Sequence, residues 1–129
     1  TGSDSNASQL AINKIASKQR FCSLGLKVPD YVVLNGKGRV EPAGLVKRFG
    51  LPLIVKPSCS GSSIGLSLVS KESELPQALK RARRFSPQVI VEQYIKGREL
   101  TVGILGNYSL PPIEIVPVRQ PFFNFEAAL

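Results

Sequence analysis

The chain has 129 residues, 17 of them basic and 9 acidic, with no histidine and two cysteines. Without histidine there is no Ser-His-Asp triad, no Cys-His pair and no His-containing zinc site, and Cys22 and Cys59 are too few for a disulfide scaffold or a four-cysteine metal site. A net charge of +8 favours an anionic partner, with nucleic acid the larger candidate and a nucleoside triphosphate the smaller.

The length fits one domain with a modest core. No apolar run approaches the roughly 20 residues of a membrane span, and the polar start Thr1-Gly2-Ser3-Asp4 is unlike a signal peptide. The expectation is a cytoplasmic protein with free thiols and no membrane partner.

In chain order, Asn6 or Ser8 caps a predicted helix running to about Leu24, with Ala11, Ile12, Ile15, Ala16 and Cys22 at core-facing spacing and Gly25 ending it. Lys14 and Lys18 lie one turn apart on a neighbouring face, where a lysine is ordinarily solvated. Val28 to Leu34 reads as a strand entered through Pro29, and Asn35-Gly36-Lys37-Gly38 as a turn. Gly36-x-Gly38 fails as a dinucleotide fingerprint because Glu41 stands at the third glycine. Pro42 opens a short helix with Leu45, Val46 and Phe49 inward and Gly50 closing it.

Leu53 to Val69 reads as strand, small-residue loop, strand. Lys56 stands at the exit of the first strand, before a loop holding Gly61, Ser62, Ser63 and Gly65. A fixed cation beside closely approachable N–H and hydroxyl donors suits a polyphosphate, although an ordinary hairpin with a polar tip has the same composition. Next comes an amphipathic helix with Leu75, Ala78, Leu79, Ala82 and Phe85 as its buried stripe, Pro76 in its first turn and Ser73 as N-cap. Its end carries Lys80, Arg81, Arg83 and Arg84, which serve either as a solvated helix terminus or as a nucleic-acid patch. Val89 to Ile95, Glu99 to Leu105 and Ile113 to Val116 read as strands joined by tight turns. The predicted fold class is α+β, a mostly antiparallel sheet with helices packed on one side.

The wording Lys56-Pro57-x-x-x-Gly61-Ser62-Ser63-x-Gly65 resembles the nucleotide-binding loop of the D-alanine–D-alanine ligases, an ATP-grasp family. Thr1-Gly2-Ser3 and Ile12-Asn13-Lys14 are similar to the start of that family's central domain, and Val91 to Val102 resembles its adenosine-binding segment. The resemblance implies ATP as cofactor. Lys14 and Lys56 would meet its phosphates, with Lys56 serving the purine as well. Ser60, Gly61, Ser62 and Ser63 would form the flap over them, with Ser62 and Ser63 nearest the chemistry. Glu92 and the backbone of Gln93 and Ile95 would hold the adenine edge, with Tyr94 as a wall and Glu99 on the ribose hydroxyls.

By the same likeness, residues 1–117 form an ATP-grasp central subdomain and residues 118–129 begin an active-site loop, with Ala128 and Leu129 where the family has lysine and tyrosine. The ligands for magnesium would lie in a C-terminal part beyond Leu129. The resemblance implies a fragment, inactive by itself, of a parent that would join two D-alanines for peptidoglycan synthesis, with homodimerisation a family tendency. Two other readings stand beside it: a basic nucleic-acid-binding domain, and a non-catalytic regulatory module descended from such a ligase.

Overall fold

The structure is a computed structural model that describes residues 2–36, 38 and 40–116. The chain divides into two units, Thr1–Tyr94 and Ile95–Leu129. In the first, α1 (Ser5–Ile12), α2 (Lys14–Ser23), β1 (Tyr31–Asn35), α3 (Pro42–Phe49), β2 (Leu53–Pro57), β3 (Ser67–Val69), α4 (Leu75–Ala82) and β4 (Gln88–Gln93) follow in order. The strands form one sheet in the order β1-β4-β2-β3, antiparallel at every pairing.

The sheet's two central strands, β2 and β4, read Leu-Ile-Val-Lys-Pro and Gln-Val-Ile-Val-Glu-Gln. Side chains alternate between faces along a strand, so Leu53 and Val55 share a face with their neighbours Val89 and Val91. Onto this face pack Leu45 and Phe49 of α3 and Leu75 and Leu79 of α4. Each fully buried Leu or Val contributes on the order of 1.5–3 kcal/mol, so this apolar layer is the main force holding the unit together. The expected α+β class, antiparallel sheet and packing of α3 and α4 on one side are all present.

The N-terminal helix departs from expectation. It is two helices, broken at Asn13, whose backbone leaves the helical region at φ −85° and ψ 98°. The Asn13 side chain accepts from Ile15 N and Ala16 N at 3.1 and 3.2 Å, and this competition with the helical ladder restarts the helix as α2. The first cap is Asp4, which accepts from Ala7 N at 2.8 Å, and neither Asn6 nor Ser8 fills that role. Ala11, Ile12 and Cys22 are exposed, Ile15 and Ala16 are half-buried, and the buried residue of α2 is Lys18. Gly25 closes α2 as expected, at φ +74°.

Smaller corrections follow the same logic. β1 starts at Tyr31, later than Val28, and extends to Asn35. Ser73 falls inside a 3₁₀ turn at Glu72–Glu74, which Glu74 caps by accepting from Ser70 N and Lys71 N, and α4 itself starts without a side-chain cap. Phe85 lies beyond the end of α4 and is half exposed, so it is outside the buried stripe. Its ring instead covers Gly65, where an added Cβ would stand 2.7 Å from Phe85 Cδ2.

The second unit holds β5 (Glu99–Thr101) paired with β8 (Ile113–Ile115), and β6 (Ile104–Leu105) paired with β7 (Tyr108–Ser109). The strand expected over Glu99 to Leu105 is therefore interrupted, with Val102 and Gly103 between its pieces. Gly103 O accepts from Leu110 N at 2.8 Å, which folds the β6–β7 hairpin back on its own base. Arg98 grips Glu114 through two bonds, at 2.9 and 2.7 Å, and this pairing holds the Glu114 carboxyl below its ordinary range. The expected active-site loop from residue 118 onward, with Ala128 and Leu129, lies outside the described residues.

Gly65 is conformationally required twice over, by its φ of +77° and by the Phe85 ring against it. Gly65→Ala is expected to cost about 1–3 kcal/mol in a urea unfolding series. Adding Phe85→Ala should recover part of that loss, because the strained backbone angle remains.

Candidate functional site

The face of the sheet opposite α3 and α4 carries the charges. Val91 belongs to the apolar core, so its neighbour Glu92 must point the other way. Register pairs Glu92 with Tyr31 on one side and Ile54 on the other, and Lys56 lies two residues beyond Ile54 on that same face. Glu92 is thus a carboxylate in the middle of a sheet, with 5% of its surface exposed. A buried carboxylate is tolerated only with close counter-charge.

Two lysines supply it. Lys56 Nζ donates to Glu92 Oε1 in an ion pair. Lys18 Nζ stands 2.8 Å from Oε2, and that oxygen still lacks a well-directed hydrogen bond. The Lys18 ammonium also lies 4.8 Å from the centre of the Tyr31 ring. Lys18 is itself only 7% exposed. The sequence reading missed it, although its i, i+4 relation to Lys14 was the available signal.

Lys14 sits at the first position of α2, where the Asn13 break has brought it beside the end of β2. Lys14 N donates to Ser58 O at 2.9 Å, and Asn13 and Cys59 form an isolated β-bridge. The Lys14 ammonium donates to Ser60 O at 2.7 Å and to Ser60 Oγ at 3.3 Å. Burial, and then repulsion from Lys56, push its pKa below the ordinary lysine value, with Cys59 and Glu92 pulling weakly the other way. Between that lowered value and the ordinary one the unfolded chain binds more protons. The Lys14 charge therefore opposes folding at neutral pH, and the penalty fades as pH rises through that window.

The loop between β2 and β3 is built from strained turns. Ser62 and Ser63 both take positive φ, 49° and 54°, unusual for residues with a Cβ, and Gly65 follows at +77°. Ile64 N donates to Gly61 O and Leu66 N to Ser63 O. Gly61 and Ser62 are exposed, and Ser60 and Ser63 are half-buried. The loop's root is fixed by Ser58, whose hydroxyl meets that of Ser86 at 2.8 Å in a buried contact. Cys59 and Cys22 are both free thiols.

Lys14, Lys56, the loop and Glu92 therefore come together in the first unit. Gln93 ends β4 with its side chain exposed, and its N–H is taken by Asp30 O at 3.0 Å. Tyr94 follows, half-buried. Ile95 and Glu99 belong to the second unit, where both are exposed and Glu99 pairs with Ile115 in β5 and β8. Among the described residues no group of three or more His, Cys, Asp or Glu is gathered in a way that would hold a metal.

Residues 21–128 match the family model described as D-ala D-ala ligase C-terminus. The chain belongs to the D-alanine–D-alanine ligase family. It is 46% identical over 127 residues to the D-alanine–D-alanine ligase of Geobacter sulfurreducens, covering 98% of this chain and 39% of that relative. Among solved structures, the D-alanine–D-alanine ligase of Bacillus anthracis superposes with a TM-score of 0.77 at 31% identity, over 98% of this chain and 40% of that one. The structure of the Bacillus anthracis ligase complexed with ATP matches with a TM-score of 0.69 at 31% identity, over 82% and 35% of the respective chains. These family matches give the nucleic-acid reading of Lys80 to Arg84 no support.

Removing the Glu92 charge leaves two lysines buried side by side. Glu92→Gln is expected to lower stability by about 3–5 kcal/mol in thermal or urea unfolding. Adding Lys18→Met should return part of that loss, since it removes one of the two stranded cations.

Proposed function

We propose that this chain is the nucleotide-binding part of a D-alanine–D-alanine ligase. The observation that carries the reading is the convergence of Lys14 and Lys56 with the Ser60 to Gly65 loop beside Glu92. The Lys14 ammonium holds Ser60 of a loop whose turns leave Gly61 and Ser62 exposed, and the Lys56 ammonium, near enough to repel that of Lys14, is held by Glu92. Such a setting offers a triphosphate fixed positive charge and short-range donors. Family membership, and a related ligase described as complexed with ATP, support ATP as the nucleotide.

In the reaction the family implies, the γ-phosphoryl group of ATP passes to the carboxylate of one D-alanine and ADP leaves. The amine of a second D-alanine then attacks the acyl carbon, loses a proton and expels phosphate. Lys14 and Lys56 would neutralise the phosphates, and Ser60, Gly61, Ser62 and Ser63 would close over them. This is catalysis by positioning and charge stabilisation, so the absence of histidine is no obstacle. Glu92 would take the adenine edge with the Gln93 carbonyl and the Ile95 backbone, Tyr94 would flank the base, and Glu99 would accept the ribose hydroxyls. Magnesium would add charge neutralisation at the phosphates, and among the described residues no group of three or more His, Cys, Asp or Glu would hold it. The reading carries with it a cytoplasmic location, D-alanine as substrate and a homodimeric parent.

The test is ATP-dependent formation of D-alanyl-D-alanine, with stoichiometric phosphate release, by the full-length protein. Lys56→Ala should abolish it, while full turnover in that variant would refute the assignment of Lys56. Nucleotide binding should also restore the depressed Lys14 pKa. Between the lowered and ordinary values binding then takes up a proton, so ATP affinity should fall as pH rises through that window. Calorimetric titration across the alkaline range checks this, and Lys14→Arg, which stays protonated, should flatten the slope.

A further inference from the structure

Lys18 has no place in the site as assigned above, yet it is among the most buried charged groups of the first unit. It is held from two directions. The Tyr31 ring lies 4.8 Å from its ammonium, and Glu92 Oε2 lies 2.8 Å away. Tyr31 and Glu92 are register partners on adjacent strands, so one sheet face presents both walls of the slot that Lys18 fills. Lys56, on the other carboxylate oxygen, is the more exposed of the two lysines, with 18% of its side chain accessible against 9% for Lys18.

The two cations are therefore unequal. Lys56 can turn outward to an anion, whereas Lys18 is enclosed by ring and carboxylate. Were Lys18 absent, every departure of Lys56 would strand a buried carboxylate without counter-charge, which is strongly unfavourable. Lys56 would then stay on Glu92 and be lost to the ligand. We infer that Lys18 is a positioning residue for nucleotide recognition: seated on Tyr31, it fixes the Glu92 carboxylate and remains its counter-ion when Lys56 turns to the phosphates. The inference rests on the nucleotide reading given above.

The helix that carries Lys18 also carries Lys14, one turn earlier, whose ammonium holds Ser60 of the loop. A single short helix thus ties the serine loop to the carboxylate on β4. Displacing α2 would loosen both ends of the site at once.

The experiment compares dissociation constants for Mg-ATP and for the triphosphate of purine riboside, which lacks the 6-amino group, by calorimetry on the full-length protein. Wild type is expected to prefer ATP, because Glu92 accepts from that amino group. In Lys18→Met, ATP affinity should fall by about tenfold or more and the preference should shrink, as expected when a buried charge pair loses one partner. If Lys18→Met keeps the wild-type affinity and preference, the inference is overturned. It is equally overturned if both nucleotides weaken alike, since the Glu92 carboxylate would then keep its hold on the 6-amino group without Lys18. Should Lys18→Met fail to accumulate, Tyr31→Leu decides by the same ratio, where an unchanged preference overturns the inference. A wild type that binds neither nucleotide contradicts the nucleotide reading itself.

Discussion

One buried carboxylate sets the terms for the rest of the site. Glu92 stands in a central strand between Ile54 and Tyr31, on a face where an isolated charge would be untenable. Its presence requires cations, and the fold delivers them from two elements: Lys56 from the adjacent strand and Lys18 from the helix above. Apolar residues in place of all three charged groups would often serve stability as well or better. Such an arrangement makes sense as preorganised charge, held ready for a ligand that carries its own.

The second constraint is geometric. Asn13 breaks the N-terminal helix so that Lys14 begins a new one beside the end of β2. Had the helix run on unbroken, Lys14 would have been one more lysine on a helix flank. The loop it touches holds two serines at positive φ and is rooted by the buried Ser58–Ser86 contact. Strained backbone of this kind persists only where its surroundings fix it, and here both ends are fixed. Burial and the nearby Lys56 charge, which lower the Lys14 pKa, and the strain at Ser62 and Ser63 all oppose folding, and an anionic ligand would relieve the charge repulsion.

Much of this was legible in the residues, for physical reasons that differ by element. The α3 and α4 helices declare themselves because their apolar residues recur at helical spacing and each has proline in its first turn and basic residues in its last. The β2–β3 hairpin is equally plain, since a small-residue loop separates two runs rich in apolar residues. The α1–α2 break was not legible, because Asn13 caps only when tertiary contacts with Ser58 and Cys59 hold the chain beside it. The burial of Lys18 was hidden for a related reason: lysine is expected in water, and its partners Tyr31 and Glu92 are far away in sequence. Glu99 to Leu105 looked like one strand because β-propensity does not register where pairing partners change.

A crystal structure of the full-length protein with magnesium and a non-hydrolysable ATP analogue is the most direct test of the account. The account predicts phosphate density between Lys14 and Lys56 beneath the Ser60 to Ser63 loop, with Lys18 still paired to Glu92 and resting on Tyr31. Phosphates bound away from both lysines, or a Lys18 turned out to solvent with Glu92 paired to Lys56 alone, would contradict it.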